Sequence, residues 1–287
     1  MLTTLLNSSR MDKNGIVSEL YDISIKKLRS MIKGCIGKKI LFYQTVDSTN
    51  TLAADLADNA EEGTVIIADS QKKGKGRLGR LWVSPSKSNI YMSIILKPRL
   101  DTQDATLLTL MSAVACAKAL KNLTGLKVFI KWPNDLMISN KKVGGILTEI
   151  KIEKGKILNA IVGIGININI DMKEFPLNLR KIATSLKYET GRAYSRTDII
   201  AGVLNEIDTW YQVLQEAGGM PILSEWKQFS FFLGTEVIVT VNKKILKGIA
   251  ESIDEKGRLL LRLESGQLKR ISSGDLTILR FDDKSFN

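Results

Sequence analysis

Residues 69–85 read DSQKKGKGRLGRLWVSP and combine glycines with cationic side chains. Glycines let the backbone approach a ligand closely and leave its N–H groups unobstructed. Lys75, Arg77 and Arg80 would neutralise a bound phosphate, and an arginine can hold two oxygens at once. Trp82 could stack on a planar ring. The segment therefore predicts an anion-binding loop, with a flexible, solvated basic loop as the plainer interpretation of the same residues.

The formal G-x-G-x-x-G at residues 74–79 does not fit the usual meanings of that motif. A dinucleotide site requires a strand before the glycines and a helix after them. Here the following residues contain Pro85 and a β-branched, aromatic run, which favours a strand. The valine of a kinase glycine loop and the G-K-[ST] of a P-loop are also missing. The motif therefore indicates none of these three sites.

A second polar group lies in KWPNDLMISNKKVGGI, residues 131–146. Lys131, Asn134 and Asp135 stand at one end of a predicted hairpin, and Lys142 returns on its other strand. Pro-Asn-Asp is ordinary turn chemistry. However, the two glycines in the returning strand indicate close approach of a ligand or of another backbone.

A third feature is GIGININI, residues 163–170. Gly163 and Gly165 alternate with isoleucine, and Asn167 and Asn169 share their predicted face because side chains alternate along a strand. Two interpretations stay open. The segment is either a glycine-weakened buried strand or a flat wall with an amide at its edge, suited to the rim of an adenine.

The composition limits the chemistry. The chain has 287 residues and no histidine, which excludes Ser-His-Asp and Cys-His nucleophiles and every His-ligated metal site. Two distant cysteines, Cys35 and Cys116, give neither a zinc knuckle nor a disulfide framework, as expected of a reduced, cytosolic protein. The net charge of +12 fits either a lysine-rich surface or an anionic partner.

Apolar periodicity predicts the elements that must position these residues. The expected helices cover 16–33, 47–63, 104–125 and 197–217. The second begins at the N-cap types Asp47, Ser48 and Thr49 and ends at Gly63; the last is capped by Thr197 and ends at Gly218. The expected strands cover 38–46, 64–70, 89–96, 127–132, 135–139, 143–152 and 158–170. From about residue 234, short strands joined by Asn, Gly and Asp turns predict a small β-barrel. The fold class is therefore α+β, with a mixed or antiparallel sheet and helices before the barrel.

The N-terminal part is too short for a helix-turn-helix domain with a linker, so DNA binding is not expected. No apolar run reaches the length of a membrane span, and the start shows no clear signal peptide. Met1 and Met11 both remain candidate starts.

Together these segments resemble the biotin protein ligase family, from about Lys38 to the C-terminal end. The residues that carry the resemblance are DSTN at 47–50, GKGRLGRLW at 74–82, KWPNDL at 131–136, KKVGGI at 141–146 and GIGINI at 163–168. Lipoate ligases share a similar core, but the second and third motifs favour biotin. A lipoate or other acyl-adenylate ligase remains the first alternative, and a non-enzymatic nucleic-acid-binding protein remains the second.

Residues 1–37, before the resemblance begins, are predicted to form an N-terminal helical extension. The resemblance implies a class II synthetase-like catalytic domain over 38–230 and an SH3-like barrel over 231–287. It implies that biotin and MgATP form biotinyl-5′-AMP and pyrophosphate. A lysine of a biotin carboxyl carrier domain, part of a biotin-dependent carboxylase, then accepts the biotinyl group. The protein would act in the cytoplasm without binding DNA or membranes, and a homodimer is left open.

The resemblance also implies roles for individual residues. Lys142 and Arg77 would be catalytic, and protein side chains are assigned no metal. For the proton lost in the second step two routes stay open, Asp135 as a weak base or direct loss to water. Lys75 stands where the family commonly has arginine. The expected biotin contacts are Ser48, Thr49, Asn50, Gln71, Gly74, Lys75, Gly76, Arg77, Lys142 and Gly145; the expected ATP or adenylate contacts are Arg77, Arg80, Trp82, Lys131, Asn134, Asp135 and Asn167.

Overall fold

The computed structural model describes residues 23–279, which form two β-sheets and six α-helices. The helices are α1 Ile25–Met31, α2 Thr49–Leu56, α3 Ala105–Thr124, α4 Leu186–Thr190, α5 Arg196–Ala217 and α6 Gly219–Gln228. The strands are β1 Ile40–Val46, β2 Val65–Gln71, β3 Ile90–Leu96, β4 Phe129–Lys131, β5 Asp135–Ile138, β6 Lys141–Glu153, β7 Lys156–Ile166, β8 Glu236–Val241, β9 Lys244–Ile253, β10 Leu259–Leu263, β11 Leu268–Ile271 and β12 Asp275–Ile278.

The larger sheet has seven strands in the order β1-β2-β3-β7-β6-β5-β4. Strands β1 and β2 run parallel, and the other neighbours are antiparallel. The predicted mixed sheet with helices is therefore confirmed. Its central strands β2 and β3 are buried on both faces over most of their length, which explains why their apolar residues are consecutive rather than alternating.

Helices cover the two faces of this sheet unequally. Ala53 and Ala57 of α2 pack with Ile66, Ile95 and Ile161 on one face. The opposite face packs against α3, α5 and α6 in the main core, and α3 ends at Gly125, whose φ of 75° suits glycine. Because α2 is short, it covers only part of the face of the sheet against which it packs, and the rest of that face is accessible.

The smaller sheet has five antiparallel strands in the order β11-β10-β9-β8-β12. Among residues 23–279 its edge strands β11 and β12 do not pair with each other, so the predicted barrel is not closed. Trp132 Nε1 donates to Gly257 O at 3.1 Å, and Lys256 Nζ lies 2.7 Å from Asp104 Oδ1. These contacts join the two sheets; the boundaries at residues 38 and 231 stay predictions.

Two helices start at residues other than those predicted, because a serine side chain caps each start. The predicted helix over 16–33 begins outside the described residues; within them α1 starts only at Ile25, where Ser24 accepts from Lys27 N. The start predicted at Thr197 is wrong, since Ser195 caps α5 by accepting from Asp198 N.

Two further boundaries lie several residues from their predicted positions, and one helix was missed. Helix α2 ends at Leu56 rather than near Gly63. Strand β7 ends at Ile166 rather than 170. Asn167 N still donates to Val143 O of β6, but beyond it the backbone bonds to a side chain and a loop, and Ile168 N donates to Asn89 Oδ1 at 2.9 Å. Helix α6 was not predicted, because Gly218 and Gly219 indicated only a helix end.

Candidate active site

A cavity of about 570 Å³ lies on the open part of the α2 face and extends to strand β12 of the smaller sheet. The predicted site residues that line it are Ser48, Thr49, Asn50, Gln71, Lys75, Gly76, Arg77, Arg80, Trp82, Lys131, Asn134, Asp135, Lys142, Gly145 and Asn167. Gly74 instead lines a second, outer recess formed by the glycine loop. The tertiary structure thus brings together motifs more than a hundred residues apart.

One end of the cavity is a neutral hydrogen-bonding network at the start of α2. Thr49 N and Oγ1 donate to Gln71 Oε1 at 2.9 and 3.2 Å, and Gln71 Nε2 donates to Ser84 Oγ at 3.0 Å. Ser48 is the N-cap residue of α2, but its side chain makes no capping hydrogen bond. The network holds hydroxyl and amide groups around the space that would receive a small polar ring.

Asn50 lies beneath this network and is bonded within the protein. Its Nδ2 donates to Leu147 O at 3.2 Å and to Glu149 Oε2 at 2.8 Å, while its Oδ1 accepts from Ser93 Oγ at 2.7 Å. An added Cβ on Gly163 would lie 2.0 Å from Asn50 Oδ1. Gly163 is therefore needed for Asn50 to fit, and the amide of Asn50 positions its neighbours. Its predicted direct contact with biotin stays a prediction.

The glycine wall predicted for residues 163–170 forms a floor for Trp82. A Cβ on Gly165 would lie 2.6 Å from Trp82 Cε2, and one on Gly145, its partner on β6, would lie 3.5 Å from the indole. The Nζ of Lys142 is 5.4 Å from the centroid of the Trp82 ring. The glycines thus make room for an aromatic side chain of the protein itself, which lines the cavity.

Asp135 lies between two lysines at the start of the hairpin. Its carboxylate is 2.5 Å from Lys142 Nζ and 3.4 Å from Lys131 Nζ. Burial on its own raises the pKa of Asp135, but the two ammonium groups outweigh burial and hold that pKa below its ordinary value. Asp135 is therefore ionised at neutral pH and is a weak base.

The arginines of the glycine loop reach the smaller sheet. Arg77 Nη1 donates to Asn134 Oδ1 at 3.3 Å and to Gly274 O at 3.2 Å. Burial lowers the pKa of Arg77, partly offset by Asp275 and Asp135, and the group stays charged at neutral pH. Arg80 forms a salt bridge with Asp275. The smaller sheet therefore forms part of the cavity wall.

Sequence reasoning missed two groups of lining residues. Strand β12 contributes residues 275–278, whose sequence signalled only a turn and a strand. Apolar residues after β7 form the other wall, where Phe175 and Ala183 belong to a small separate core with Ile170. No motif marks this segment, because its apolar residues are irregularly spaced; those lining the cavity are Phe175, Leu179, Ile182 and Ala183.

Charge is unevenly distributed along the cavity. Five cationic side chains line it against two carboxylates, Asp135 and Asp275. Four of the cations gather at the end bounded by the glycine loop, the hairpin and β12. At the α2 end Lys75 is paired with Glu149, whose carboxylate also accepts from Asn50, so this end carries no net charge. The arrangement suits a ligand with a neutral polar head and an anionic tail. Asn167 lines the cavity while its Nδ2 donates to Thr184 O at 3.0 Å.

Comparisons with known proteins agree with this geometry. Residues 41–167 match the Biotin/lipoate A/B protein ligase family, and residues 232–276 match the Biotin protein ligase C terminal domain. The bifunctional ligase/repressor BirA of Bacillus subtilis is 36% identical over 244 residues, which are 85% of this chain and 75% of that protein. The chain belongs to the biotin protein ligase family.

Other members of the biotin protein ligase family support the assignment. The biotin–[acetyl-CoA-carboxylase] ligase of Paracoccus denitrificans is 30% identical over 77% of this chain and 93% of its own length. The structure of the Aquifex aeolicus biotin protein ligase with biotin and ATP is 31% identical and superposes with a TM-score of 0.73, covering 85% of this chain and all of that one. Within residues 23–279 of this family member, no helix is long and apolar enough to cross a membrane.

Proposed function

We propose that this chain attaches biotin to a lysine of a biotin carboxyl carrier domain, using ATP and a biotinyl-5′-AMP intermediate. The observation that carries the proposal is the single cavity with a neutral amide and hydroxyl end and a cationic end. The uncharged ureido ring of biotin suits the first end, and the phosphates of ATP suit the second. The Aquifex relative, solved with biotin and ATP, supports the same pair of ligands.

The first step needs charge stabilisation rather than a base. The biotin carboxylate is ionised at neutral pH and attacks the α-phosphorus, while pyrophosphate leaves. Lys142 would bridge the carboxylate and the α-phosphate, and Arg77 and Arg80 would hold the phosphate oxygens. Trp82 would cover the intermediate, and Asn167 would contact the adenine. A chain without histidine can therefore carry out this step.

Magnesium would enter with ATP, whose phosphates supply most of its oxygen ligands. Within residues 23–279 no cluster of three or more His, Cys, Asp or Glu could hold a metal alone. Asp135 is a cavity carboxylate beside the lysines and would supply an oxygen ligand from the protein. The metal neutralises charge on the phosphates when it is bound.

In the second step the amine of the acceptor lysine attacks the acyl carbon and AMP leaves, with loss of one amine proton. The lowered pKa of Asp135 makes it a poor acceptor for that proton. We propose that the proton passes to water and that the site contributes mainly by positioning the acyl group. A carrier domain of a biotin-dependent carboxylase is the partner type that the family implies.

The experiment that tests the proposed function is ATP–pyrophosphate exchange with biotin, lipoate or no acid. Exchange with biotin alone is the expected result and establishes the adenylation step. Exchange with lipoate would keep the chemistry and change the substrate. No exchange with either acid would reject the proposal and reopen the binding-protein alternative.

The glycine floor gives a further prediction. Gly165→Ala is expected to displace Trp82 and to lower biotin-dependent exchange about tenfold or more, since misplacing a site group by about 1 Å can cost up to about 100-fold. Tryptophan fluorescence should shift and the melting temperature should change little, because the indole can swing toward solvent. Exchange at the wild-type rate with an unchanged spectrum would contradict the close contact between Gly165 and Trp82.

Residues 72–82 are predicted to be mobile in the free protein and to order over the adenylate. Their salt bridges, Lys75–Glu149 and Arg80–Asp275, are exposed and each contributes about 1 kcal/mol or less. Trypsin should cut this segment rapidly without ligands and slowly with biotin and ATP. Cleavage after Lys154, in the β6–β7 turn, provides the control and should not change. Equal cleavage of the loop in both conditions would contradict the prediction.

We further propose that the protein acts in the cytoplasm without binding DNA. Binding to nucleic acid would weaken steeply as salt is raised. A gel-shift titration with duplex DNA at 50 and 200 mM salt tests this point, with no shift expected. Sedimentation with and without biotin and ATP tests whether a homodimer forms.

A further inference from the structure

Strand β12 places a carboxylate at the cationic end of the cavity. Asp275 Oδ1 accepts from Arg80 Nη1 at 3.2 Å, and its Oδ2 is paired with Arg80 Nη2. This is the two-point geometry that a guanidinium also uses for phosphate. Asp275 therefore occupies the donors that Arg80 would offer to the nucleotide.

The neighbouring arginine is held differently. Arg77 bonds to the Asn134 amide oxygen and to the Gly274 carbonyl oxygen, which are both neutral. A phosphate can approach Arg77 without displacing an anion. At Arg80, by contrast, it has to replace a carboxylate of the protein.

The second cavity carboxylate is also in a different position. Asp135 lies between Lys131 and Lys142, so it keeps one cation when a ligand engages the other. Among residues 23–279 the one salt bridge of Asp275 is with Arg80. Once a phosphate takes Arg80, the carboxylate of Asp275 loses its salt bridge and lies beside that phosphate as a like charge, with Arg77 as the remaining nearby cation.

Exposure allows this exchange of partners. The side chains of Arg80 and Asp275 are 64% and 30% exposed, so both can be hydrated as they separate. An exposed pair of this kind is weak, and salt weakens it further. The contact is strong enough to compete with a ligand and too weak to exclude one.

We propose that Asp275 competes with the phosphates of ATP for Arg80, and so sets the affinity for nucleotide while leaving biotin binding unchanged. The proposal rests on the proposed function, because it requires ATP at the cationic end. It makes Asp275, which no sequence motif marks, a determinant of nucleotide affinity supplied by the smaller sheet. The same contact would recapture Arg80 when the phosphates leave.

The test is direct binding of a non-hydrolysable ATP analogue, measured by calorimetry at low salt, together with biotin binding. Asp275→Asn and Asp275→Ser are expected to bind the analogue about three- to tenfold more tightly than wild type. Biotin affinity should not change. Asp275→Glu keeps the charge and should stay near the wild-type value. Raising the salt concentration should reduce the gain of the uncharged variants.

Glu264→Gln is the matched control for net charge, because Glu264 is an exposed partner of Lys247 away from the cavity. It should not alter the affinity for the analogue. Unchanged binding in both uncharged Asp275 variants would overturn the competition. Weaker binding would overturn it too, by showing that Asp275 orients Arg80 for phosphate. The proposed function fails separately, if the wild-type protein shows no biotin-dependent pyrophosphate exchange.

Discussion

Lys142→Gln is expected to lower biotin-dependent pyrophosphate exchange about 100- to 1000-fold, the range found when one donor that stabilises developing charge is removed. The reason is the position of the ammonium group. It is 2.5 Å from Asp135 and 5.4 Å from the Trp82 ring, between the neutral and cationic ends of the cavity. No other lysine or arginine is predicted to bridge the carboxylate and the α-phosphate. The exchange rate at saturating biotin and ATP is the measurement.

A neighbouring lysine provides the control for Lys142. Lys141→Gln removes the same charge one residue earlier, where Nζ lies 5.4 Å from the Tyr188 ring. It should leave exchange within about twofold, as expected of a surface substitution. Biotin binding by Lys142→Gln should fall less than its exchange rate, since the charge forms mainly in the transition state. Exchange within tenfold of wild type would contradict the bridging role.

Arg77→Gly is expected to release biotinyl-5′-AMP about 10- to 100-fold faster than wild type, because a charge-assisted hydrogen bond is worth about 1.5–3 kcal/mol. The guanidinium also joins the glycine loop to Asn134 and to Gly274 of the smaller sheet. Removing it therefore weakens both the grip on the phosphate and the closure of the loop. The measurement is the half-life of the enzyme-bound intermediate after rapid removal of free ligands.

Two comparisons separate these effects. Arg77→Gln removes the charge without adding backbone freedom, so it isolates the phosphate contact from loop flexibility. Lys72→Gln removes an exposed charge from the same loop outside the cavity lining and should retain the intermediate normally. If Arg77→Gly held the intermediate as long as wild type, Arg77 would have no role in retention.

Most elements could be predicted from the sequence because their signals are local. Strands β2 and β3 are rich in valine and isoleucine, and α3 is a nearly all-apolar helix closed by Gly125. The cationic character of the motifs could also be predicted, because Lys142 and the loop arginines are basic residue types. Helix starts such as Ser195 were less certain, because several adjacent residues could act as the cap.

Only the tertiary structure showed which side chains contact one another. Gly163 and Gly165 could be seen in the sequence, but the side chains that they admit, Asn50 and Trp82, lie about a hundred residues away. The sequence around Asp275 indicated only a turn, whereas in the structure β12 places this residue in a salt bridge with Arg80. The sequence alone thus determined which groups could bind biotin and phosphates, because residue type and local spacing set charge and hydrogen-bonding capacity. Their partners came from long-range strand pairing and from the contact between the two sheets, which no local pattern encodes.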